Sequence, residues 1–283
     1  MIHEDQTLGD AVRAAARMLS EEDARRDAEI LIAHALGMTR AGLFAHADHL
    51  LTEEEASRCL RLIEARQRGE PVAYLMGERE FWSLKLVVTP DVLIPRHETE
   101  LLVELAIELL PKSTDGLCVA DLGTGSGAVA LAIAKERPRA EVWAADASRA
   151  ALQVAESNAT RLGIGNVHFL HSDWFRAFNA DLRFDVIVSN PPYVAADDAH
   201  LTIGDLRFEP LMALTPGADG LGAIRHLIHA APEFLNSGGW LLFEHGLDQG
   251  EAVRELFAVE GFVDIETHRD DAGLDRISLA RWR

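Results

Sequence analysis

CVADLGTGSGAVALAIAKE, residues 118–136, places a strand-like apolar run, a glycine-rich loop and a helix-like apolar run in immediate succession. We predict a strand over Cys118–Leu122 and a helix over Ala128–Glu136. Glycines permit the tight turn between the two and let a ligand approach the backbone at the helix N-terminus. This order of strand, loop and helix is typical of a nucleoside site, whereas a Gly-x-Gly-x-Gly loop taken alone is often only a structural turn.

The segments that follow this loop alternate between strand-like and helix-like patterns. The further predicted strands are Glu141–Ala145, Val167–His171, Asp185–Ser189, Trp240–Glu244, Val263–Thr267 and Arg276–Ala280. Such alternation favours an α/β fold with a doubly wound, mostly parallel sheet, which has seven strands when Cys118–Leu122 is counted. Ligands bind these sheets at the carboxyl ends of the strands, so the residues after each strand are the candidates for function.

The chain divides by its sequence patterns into three predicted regions. Residues 1–73 have helical spacing, with a second helix over about Glu22–Leu36 and a capping-box pattern at Thr52–Glu55, and they predict a small all-α bundle. Residues 74–95 are rich in aromatic and β-branched side chains and predict a β-hairpin connector. Residues 96–283 form the predicted α/β domain. The bundle has no catalytic cluster in its sequence, so we expect it to serve in packing or in recognition of a partner protein.

Composition and charge narrow the classes of function. Hydrophobic residues make up 48% of the 283 residues, and no apolar run reaches the roughly 20 residues that cross a bilayer. The net charge of −19 weighs against a partner that presents mainly nucleic-acid phosphates. The two cysteines, Cys59 and Cys118, lie in apolar segments and predict core residues in a reducing cytosol rather than a metal site. The acidic N-terminus lacks a signal-peptide pattern, so we expect a cytoplasmic protein. We also expect no metal and no membrane partner, and a monomer by default.

Acidic residues accompany the glycine loop at the positions where a nucleoside would bind. Asp146 directly follows the next predicted strand, 19 residues after Gly127, where a carboxylate can bind both hydroxyls of a ribose. The glycine spacing is tighter than in dinucleotide loops and follows an acid, Asp121, which suits S-adenosylmethionine better than NAD. After the third predicted strand, Asp173 is placed to hydrogen-bond an adenine amino group and Trp174 to pack on the ring. The alternative is that Trp174 belongs only to the core.

Asn190-Pro191-Pro192-Tyr193 follows the fourth predicted strand of the α/β domain. The Asn190 side-chain carbonyl and the Pro191 backbone carbonyl can each accept one proton of a planar NH2 group, and the prolines restrict φ around them. The Tyr193 ring can lie against the flat face of the group that carries the NH2. The tetrapeptide therefore predicts a binding site for an amide or an aromatic amino group, although a rigid turn at a strand end is the simpler alternative.

Seven stretches spread along the chain match the motifs of one known family. They are Gly77–Trp82, Leu93–Arg96, Asp121–Gly127, Ser172–Phe175, Ser189–Tyr193, Arg207–Pro210 and Glu244–Gly246. In this combination and order they resemble the HemK/PrmC family, the protein-(glutamine-N5) methyltransferases that act on peptide chain release factors. Many methyltransferases share the glycine loop, whereas the hairpin and Arg-Phe-Glu-Pro stretches are much more particular. The helical N-terminal part also matches, so the resemblance covers nearly the whole chain.

The resemblance implies a class I methyltransferase (Rossmann-like) fold that uses S-adenosyl-L-methionine and releases S-adenosyl-L-homocysteine. It implies that Asp146 binds the ribose, that Trp174 lies at the adenine, and that Asn190 contacts cofactor and substrate. The loop residues implied to line the methionine part of the cofactor are Gly123, Thr124, Gly125, Ser126 and Gly127.

The resemblance also implies a substrate, the glutamine of the Gly-Gly-Gln motif of class I release factors. The residues implied to hold it are Asn190, Pro191, Pro192 and Tyr193. Arg96 and Glu100 lie where the hairpin meets the α/β domain, and we expect them either to shape the substrate pocket or to form a surface ion pair at a helix start. His97 stands where the family usually has proline, which should loosen the entry to that helix without removing chemistry. We expect His97 to face solvent rather than to act as a base.

Three other functions fit parts of the sequence. An adenine-N6 methyltransferase on DNA or RNA could use the same amino-group site, but the acidic charge and the lack of a basic recognition domain argue against it. An adaptor that binds a nucleoside without catalysis would not need the intact tetrapeptide beside the glycine loop. A nicotinamide oxidoreductase would require a loop suited to a pyrophosphate.

Overall fold

The computed structural model describes residues 1–19, 23–112, 114 and 116–283. Contacts between residues divide the described chain into two compact units, Met1–Glu78 and Arg79–Arg283.

The N-terminal unit is helical. Its helices are α1 (Leu8–Leu19), α2 (Ala24–Ala35), α3 (Arg40–Ala45), α4 (Glu53–Gln67) and α5 (Val72–Met76). Their apolar faces share one core that includes Leu8, Leu31 and Ile63, all fully buried. The capping box is confirmed: Thr52 Oγ1 accepts from the Glu55 backbone N–H, and the Glu55 carboxylate accepts from the Thr52 N–H. The expected start of the second helix at Glu22 lies outside the described residues.

A short helix precedes the hairpin of the predicted connector, residues 74–95. Residues 72–76 form the short helix α5 rather than the first part of a hairpin, because Pro71 starts a helical turn and Gly77 ends it with a left-handed φ of 71°. The hairpin itself is confirmed as β1 (Glu78–Phe81) and β2 (Leu84–Val87). Trp82 and Ser83 both have positive φ, at 51° and 54°, as a two-residue turn between twisted antiparallel strands requires.

The predicted doubly wound, mostly parallel sheet is confirmed. Its strands are β3 (Cys118–Leu122), β4 (Glu141–Asp146), β5 (Val167–His171), β6 (Phe184–Ser189), β7 (Leu235–Glu244), β8 (Val263–Arg269) and β9 (Asp275–Arg281), in the order β5-β4-β3-β6-β7-β9-β8. Pairing is parallel from β5 to β7, and β9 runs antiparallel to both of its neighbours. The strand order reverses between β3 and β6, so the carboxyl ends of those two strands flank the crevice where such sheets bind ligands.

Helices cover both faces of this sheet. They are α6 (Glu100–Leu109), α7 (Ala128–Glu136), α8 (Arg149–Leu162), α9 (Leu211–Leu214), α10 (Gly222–Ala230) and α11 (Gly250–Glu260), with a 3₁₀ turn, His97–Thr99, before α6. Alternate residues of β6 enter different cores: Val186 and Val188 pack in the cluster of α6 and α7, and Ile187 packs in that of α10 and α11. This two-sided burial explains why the strand reads as a continuous apolar run.

Gly127 is required where the glycine loop enters α7. Its φ of 83° is left-handed, and an added Cβ would lie 3.1 Å from Ala155 Cβ and 3.1 Å from Leu131 Cδ1. We expect Gly127→Ala to cost about 2 kcal/mol of stability, since backbone strain and crowding add. Urea unfolding of the full chain measures this cost.

Gly163 provides a matched control for this prediction. Its φ of 68° is also left-handed, but an added Cβ meets nothing within 4 Å. Gly163→Ala should therefore cost only about 1 kcal/mol, from the left-handed backbone alone. Equal costs for the two variants would show that the contact with Ala155 and Leu131 is not tight.

Within the ranges described above, no helix has the length and apolar character that crossing a bilayer requires.

Candidate active site

A cavity of about 440 Å³ lies at the edge of the sheet where β3, β4 and β6 end. Most of the site residues predicted from the sequence line it: Arg96, Gly123, Thr124, Gly125, Ser126, Asp146, Asp173, Trp174, Asn190 and Pro192. The remaining four, Glu100, Gly127, Pro191 and Tyr193, are not among the described residues that line the cavity. The structure therefore brings most of the glycine loop, together with Asn190 and Pro192 of the tetrapeptide, to one cavity.

Hydrogen bonds from the loop to the ends of β3 and β4 fix its shape. The backbone N–H groups of Gly123 and Thr124 donate to the Ala145 carbonyl at 2.9 and 3.0 Å. Asp121 Oδ2 accepts from Thr124 Oγ1 at 2.6 Å and from the Ala130 N–H at 3.1 Å, so it joins the loop to the first turn of α7. The loop is thus held in place by protein contacts alone.

Two carboxyl groups at the strand ends have raised pKa values because they are buried. Burial raises the pKa of Asp121 to about 7, although its hydrogen bonds to Thr124 and Ala130 act in the opposite direction. Burial also raises the pKa of Asp146, against the hydrogen bonds that its oxygens accept from the Ser148 and Gly125 N–H groups, both at 2.8 Å. A cationic ligand in the cavity would favour the ionised form of both groups.

Trp174 both lines the cavity and packs on the core. Its φ of 49° is left-handed, and Ser172 holds the turn by donating to the Trp174 carbonyl at 2.6 Å and accepting from the Ala177 N–H at 3.0 Å. The indole lies over the glycine loop, with Cζ3 only 3.9 Å from where a Cβ on Gly123 would be. The core and cavity interpretations of Trp174 are therefore compatible.

The Asn190 side chain is half-buried at the edge of the cavity. Its Nδ2 donates to Thr99 Oγ1 at 3.1 Å. No hydrogen bond from the described residues engages Oδ1, which leaves that oxygen available as an acceptor. Further along, the Tyr193 hydroxyl donates to Glu244 Oε1 at 2.8 Å and the Tyr193 carbonyl accepts from Gln249 Nε2 at 3.0 Å.

Sequence reasoning gave no role to Thr99 or Glu244, the two residues that support this tetrapeptide. Thr99 is buried, and its hydroxyl donates to Glu244 Oε2 at 2.6 Å. Glu244 ends β7 with a relative exposure of 1%, and this burial raises the pKa of its carboxyl. The sequence signal was an acid as the last residue of an apolar strand, inside a stretch already matched to the family.

Arg96 and Glu100 take different places. Arg96 lines the cavity, and its Nη2 lies 2.5 Å from Oε1 of the buried Glu209, whose Oε2 accepts from the Ile94 N–H at 3.3 Å. This pair joins the Ile-Pro-Arg and Arg-Phe-Glu-Pro stretches. Glu100 instead accepts from the Trp82 N–H at 2.9 Å in the hairpin turn. Nδ1 of the exposed His97 lies 3.4 Å from Glu100 Oε2.

Comparison with known proteins places this site in a family. The family model for the PrmC N-terminal domain matches residues 10–77, and the one for the methyltransferase small domain matches residues 98–209. A release factor glutamine methyltransferase of Xylella fastidiosa (strain 9a5c) is 51% identical over 262 residues, which span 93% of this chain and 94% of that protein. The chain belongs to the release factor glutamine methyltransferase family.

Other relatives agree with this family assignment. The release factor glutamine methyltransferase of Escherichia coli (strain K12) is 47% identical over 270 residues, 95% of this chain and 96% of that protein. Among solved structures, the hMettl16 catalytic domain in complex with MAT2A 3'UTR hairpin 1 superposes with a TM-score of 0.58 at 13% identity, covering 81% of this chain and 80% of that one. That likeness shows the fold alone.

Membership of the release factor glutamine methyltransferase family confirms the resemblance predicted from the motifs. The class I methyltransferase fold is confirmed as well, with a seven-stranded sheet and a helical N-terminal part. The chain is therefore an enzyme of the methyltransferase class.

Proposed function

We propose that this protein transfers a methyl group from S-adenosyl-L-methionine to the side-chain amide nitrogen of the glutamine in the Gly-Gly-Gln motif of class I release factors. The observation that carries the proposal is the position of Asn190, which lines the same cavity as the glycine loop and whose Oδ1 accepts no hydrogen bond from the described residues. The relatives at 47% and 51% identity bear the name of this activity.

The cavity fits the proposed cofactor in size and in chemistry. About 440 Å³ lies within the usual range of small-molecule sites. Each carboxylate oxygen of Asp146 accepts one backbone N–H and retains a lone pair that can accept a ribose hydroxyl. Asp173 and Trp174 line the cavity beside the loop and would hold the adenine. When bound, S-adenosyl-L-methionine supplies an electrophilic methyl group and is released as S-adenosyl-L-homocysteine.

The Asn190 tetrapeptide would orient the substrate amide. An amide nitrogen is a poor nucleophile because its lone pair is delocalised into the carbonyl. Asn190 Oδ1 and the Pro191 carbonyl would each accept one N–H of the glutamine and so aim the nitrogen, while the Tyr193 ring would lie against the amide plane. Orientation and matched dipoles then supply most of the rate gain. A strong base is not needed before transfer, since the methylated nitrogen becomes acidic.

We assign three regions to this function. Residues 1–73 would recognise the release factor, and residues 74–95 would connect this helical part to the α/β domain. Residues 96–283 would catalyse methyl transfer, with Arg96 shaping the substrate side of the cavity. The contact boundary after Glu78 supports a separate N-terminal module. A protein that modifies release factors would act in the cytoplasm, and we propose a monomer without stable nucleic-acid binding.

Mass spectrometry of a release factor incubated with the full chain and S-adenosyl-L-methionine tests the proposal. We expect one added methyl on the glutamine of the Gly-Gly-Gln motif, and none on a release factor whose motif glutamine is replaced by alanine. DNA and RNA incubated in parallel test the adenine-N6 alternative, which the same amino-group site could serve. Methylation of adenine, or no methylation of the release factor, would reject the proposed substrate.

A further inference from the structure

Thr99 and Glu244 form a hydrogen-bonded chain that ends on the Asn190 amide. The Thr99 hydroxyl donates to Glu244 Oε2 at 2.6 Å and accepts from Asn190 Nδ2 at 3.1 Å. Parallel pairing of β6 with β7 brings Asn190 close to Glu244. Ser189 lies opposite Phe243, and the next residues along the chain are Asn190, directly after β6, and Glu244, the last residue of β7. Thr99 and Glu244 are both buried, with relative exposures of 4% and 1%.

When Glu244 is ionised, the number of available protons sets the direction of this chain. An ionised carboxylate only accepts hydrogen bonds, so the single hydroxyl proton of Thr99 is donated to Glu244. The Thr99 oxygen can then only accept from Asn190, and it selects Nδ2 rather than Oδ1 as its neighbour. In the flipped amide, two oxygens without a proton between them would face each other.

We propose that Glu244, acting through Thr99, is a positioning residue that fixes the Asn190 amide with Oδ1 available to accept an N–H from the substrate. This inference rests on the proposed function, since it assigns a cause to the orientation that the function requires. A flipped amide would present Nδ2 to the substrate NH2, where donor would meet donor.

The same carboxylate also supports the other end of the tetrapeptide. Glu244 Oε1 accepts from the Tyr193 hydroxyl at 2.8 Å, so both of its oxygens are engaged by residues of one functional unit. Burial and the charge of Glu98 raise the pKa of this carboxyl, whereas Thr99, Tyr193 and the positive charge of Arg276 act in the opposite direction. The pKa is raised on balance, so the one-way chain operates above that pKa, where these three neighbours stabilise the ionised carboxylate.

Substitution of Thr99 tests the chain. Thr99→Val keeps the shape but removes both hydrogen bonds, and we expect turnover on the release factor to fall about tenfold. The KM for S-adenosyl-L-methionine should change by less than about twofold, because neither lost hydrogen bond involves the glycine loop or Asp146. Thr99→Ser keeps the hydroxyl and should retain near-normal turnover. Thr99→Ala replaces the valine variant if that protein does not fold.

Thr267→Val is the matched control. The Thr267 hydroxyl also lies within a hydrogen-bonded chain, at 2.9 Å from Ser278 Oγ and 3.0 Å from Arg254 Nη1, but it has no contact with Asn190. Its removal should leave turnover unchanged. Equal losses from Thr99→Val and Thr267→Val would overturn the inference, because they would indicate a general structural effect.

A second measurement separates this inference from the proposed function. The side-chain NH2 resonances of Asn190, assigned by comparison with Asn190→Ala, should shift in Thr99→Val and remain in Thr99→Ser. If Thr99→Val keeps normal turnover while Asn190→Ala loses it, the chain has no positioning role and the proposed function stands. If the unmodified protein does not methylate the release factor, the proposed function fails. Independently of that result, unchanged Asn190 resonances in Thr99→Val would overturn the hydrogen-bonded chain.

Discussion

Asn190→Ala is expected to lower turnover on the release factor by about 100-fold or more, as loss of one preorganised polar contact does in other active sites. The variant removes the side-chain oxygen that we propose accepts from the substrate amide, and it also removes the Nδ2 group that donates to Thr99. Single-turnover kinetics with the release factor measures the loss. Binding of S-adenosyl-L-methionine, followed by calorimetry, should weaken much less, because the glycine loop and Asp146 remain.

Asn166→Ala is the control for this prediction. Asn166 Nδ2 donates to the carbonyls of Ala134, Arg137 and Ala140, at 3.2, 3.2 and 2.9 Å, and Asn166 is not among the described residues that line the cavity. Its loss should lower stability without changing turnover. An Asn190→Ala enzyme with near-normal methylation would refute the role of the tetrapeptide in orienting the amide.

The strands could be predicted from the sequence where a continuous run of strand-forming residues is bounded by turn residues. β3 and β5 have the predicted bounds for this reason, although β3 is largely buried and β5 is an edge strand with no buried residue. β7 begins at Leu235, five residues before its predicted start at Trp240. Residues 236–239 read as a turn, Asn-Ser-Gly-Gly, and the structure accommodates them within the strand through a shift in register against β6.

The site could be predicted only where its residues lie in local motifs. The glycine loop, Asp146 and the Asn190 tetrapeptide each follow a strand, so topology alone brings them to one edge. Thr99 and Glu244 are 145 residues apart and share no local pattern. Their contact depends on the register of β6 against β7 and on the turn before α6, which the sequence does not reveal. The same holds for the pairing of Arg96 with Glu209.

The second large effect is expected for Asp146, which lies on the side of the site proposed to bind adenosine. Asp146→Ala should weaken binding of S-adenosyl-L-methionine by about 100-fold. Each hydrogen bond from a ribose hydroxyl to a charged acceptor contributes about 1.5 kcal/mol, and each 1.4 kcal/mol corresponds to a tenfold change in affinity. The variant also releases the Gly125 and Ser148 N–H groups that Asp146 now holds, which loosens the loop. Isothermal titration calorimetry of the full chain measures the change.

Asp185→Ala separates a cofactor contact from a general effect of losing a carboxylate. Asp185 is also engaged through both oxygens, by the Cys118 N–H and by Asn236 Nδ2, each at 2.8 Å, but it is absent from the described lining of the cavity. This variant should lose stability and keep its affinity for the cofactor. If Asp146→Ala binds S-adenosyl-L-methionine within about threefold of the unmodified protein, Asp146 serves only to hold the loop, and the ribose must be bound elsewhere.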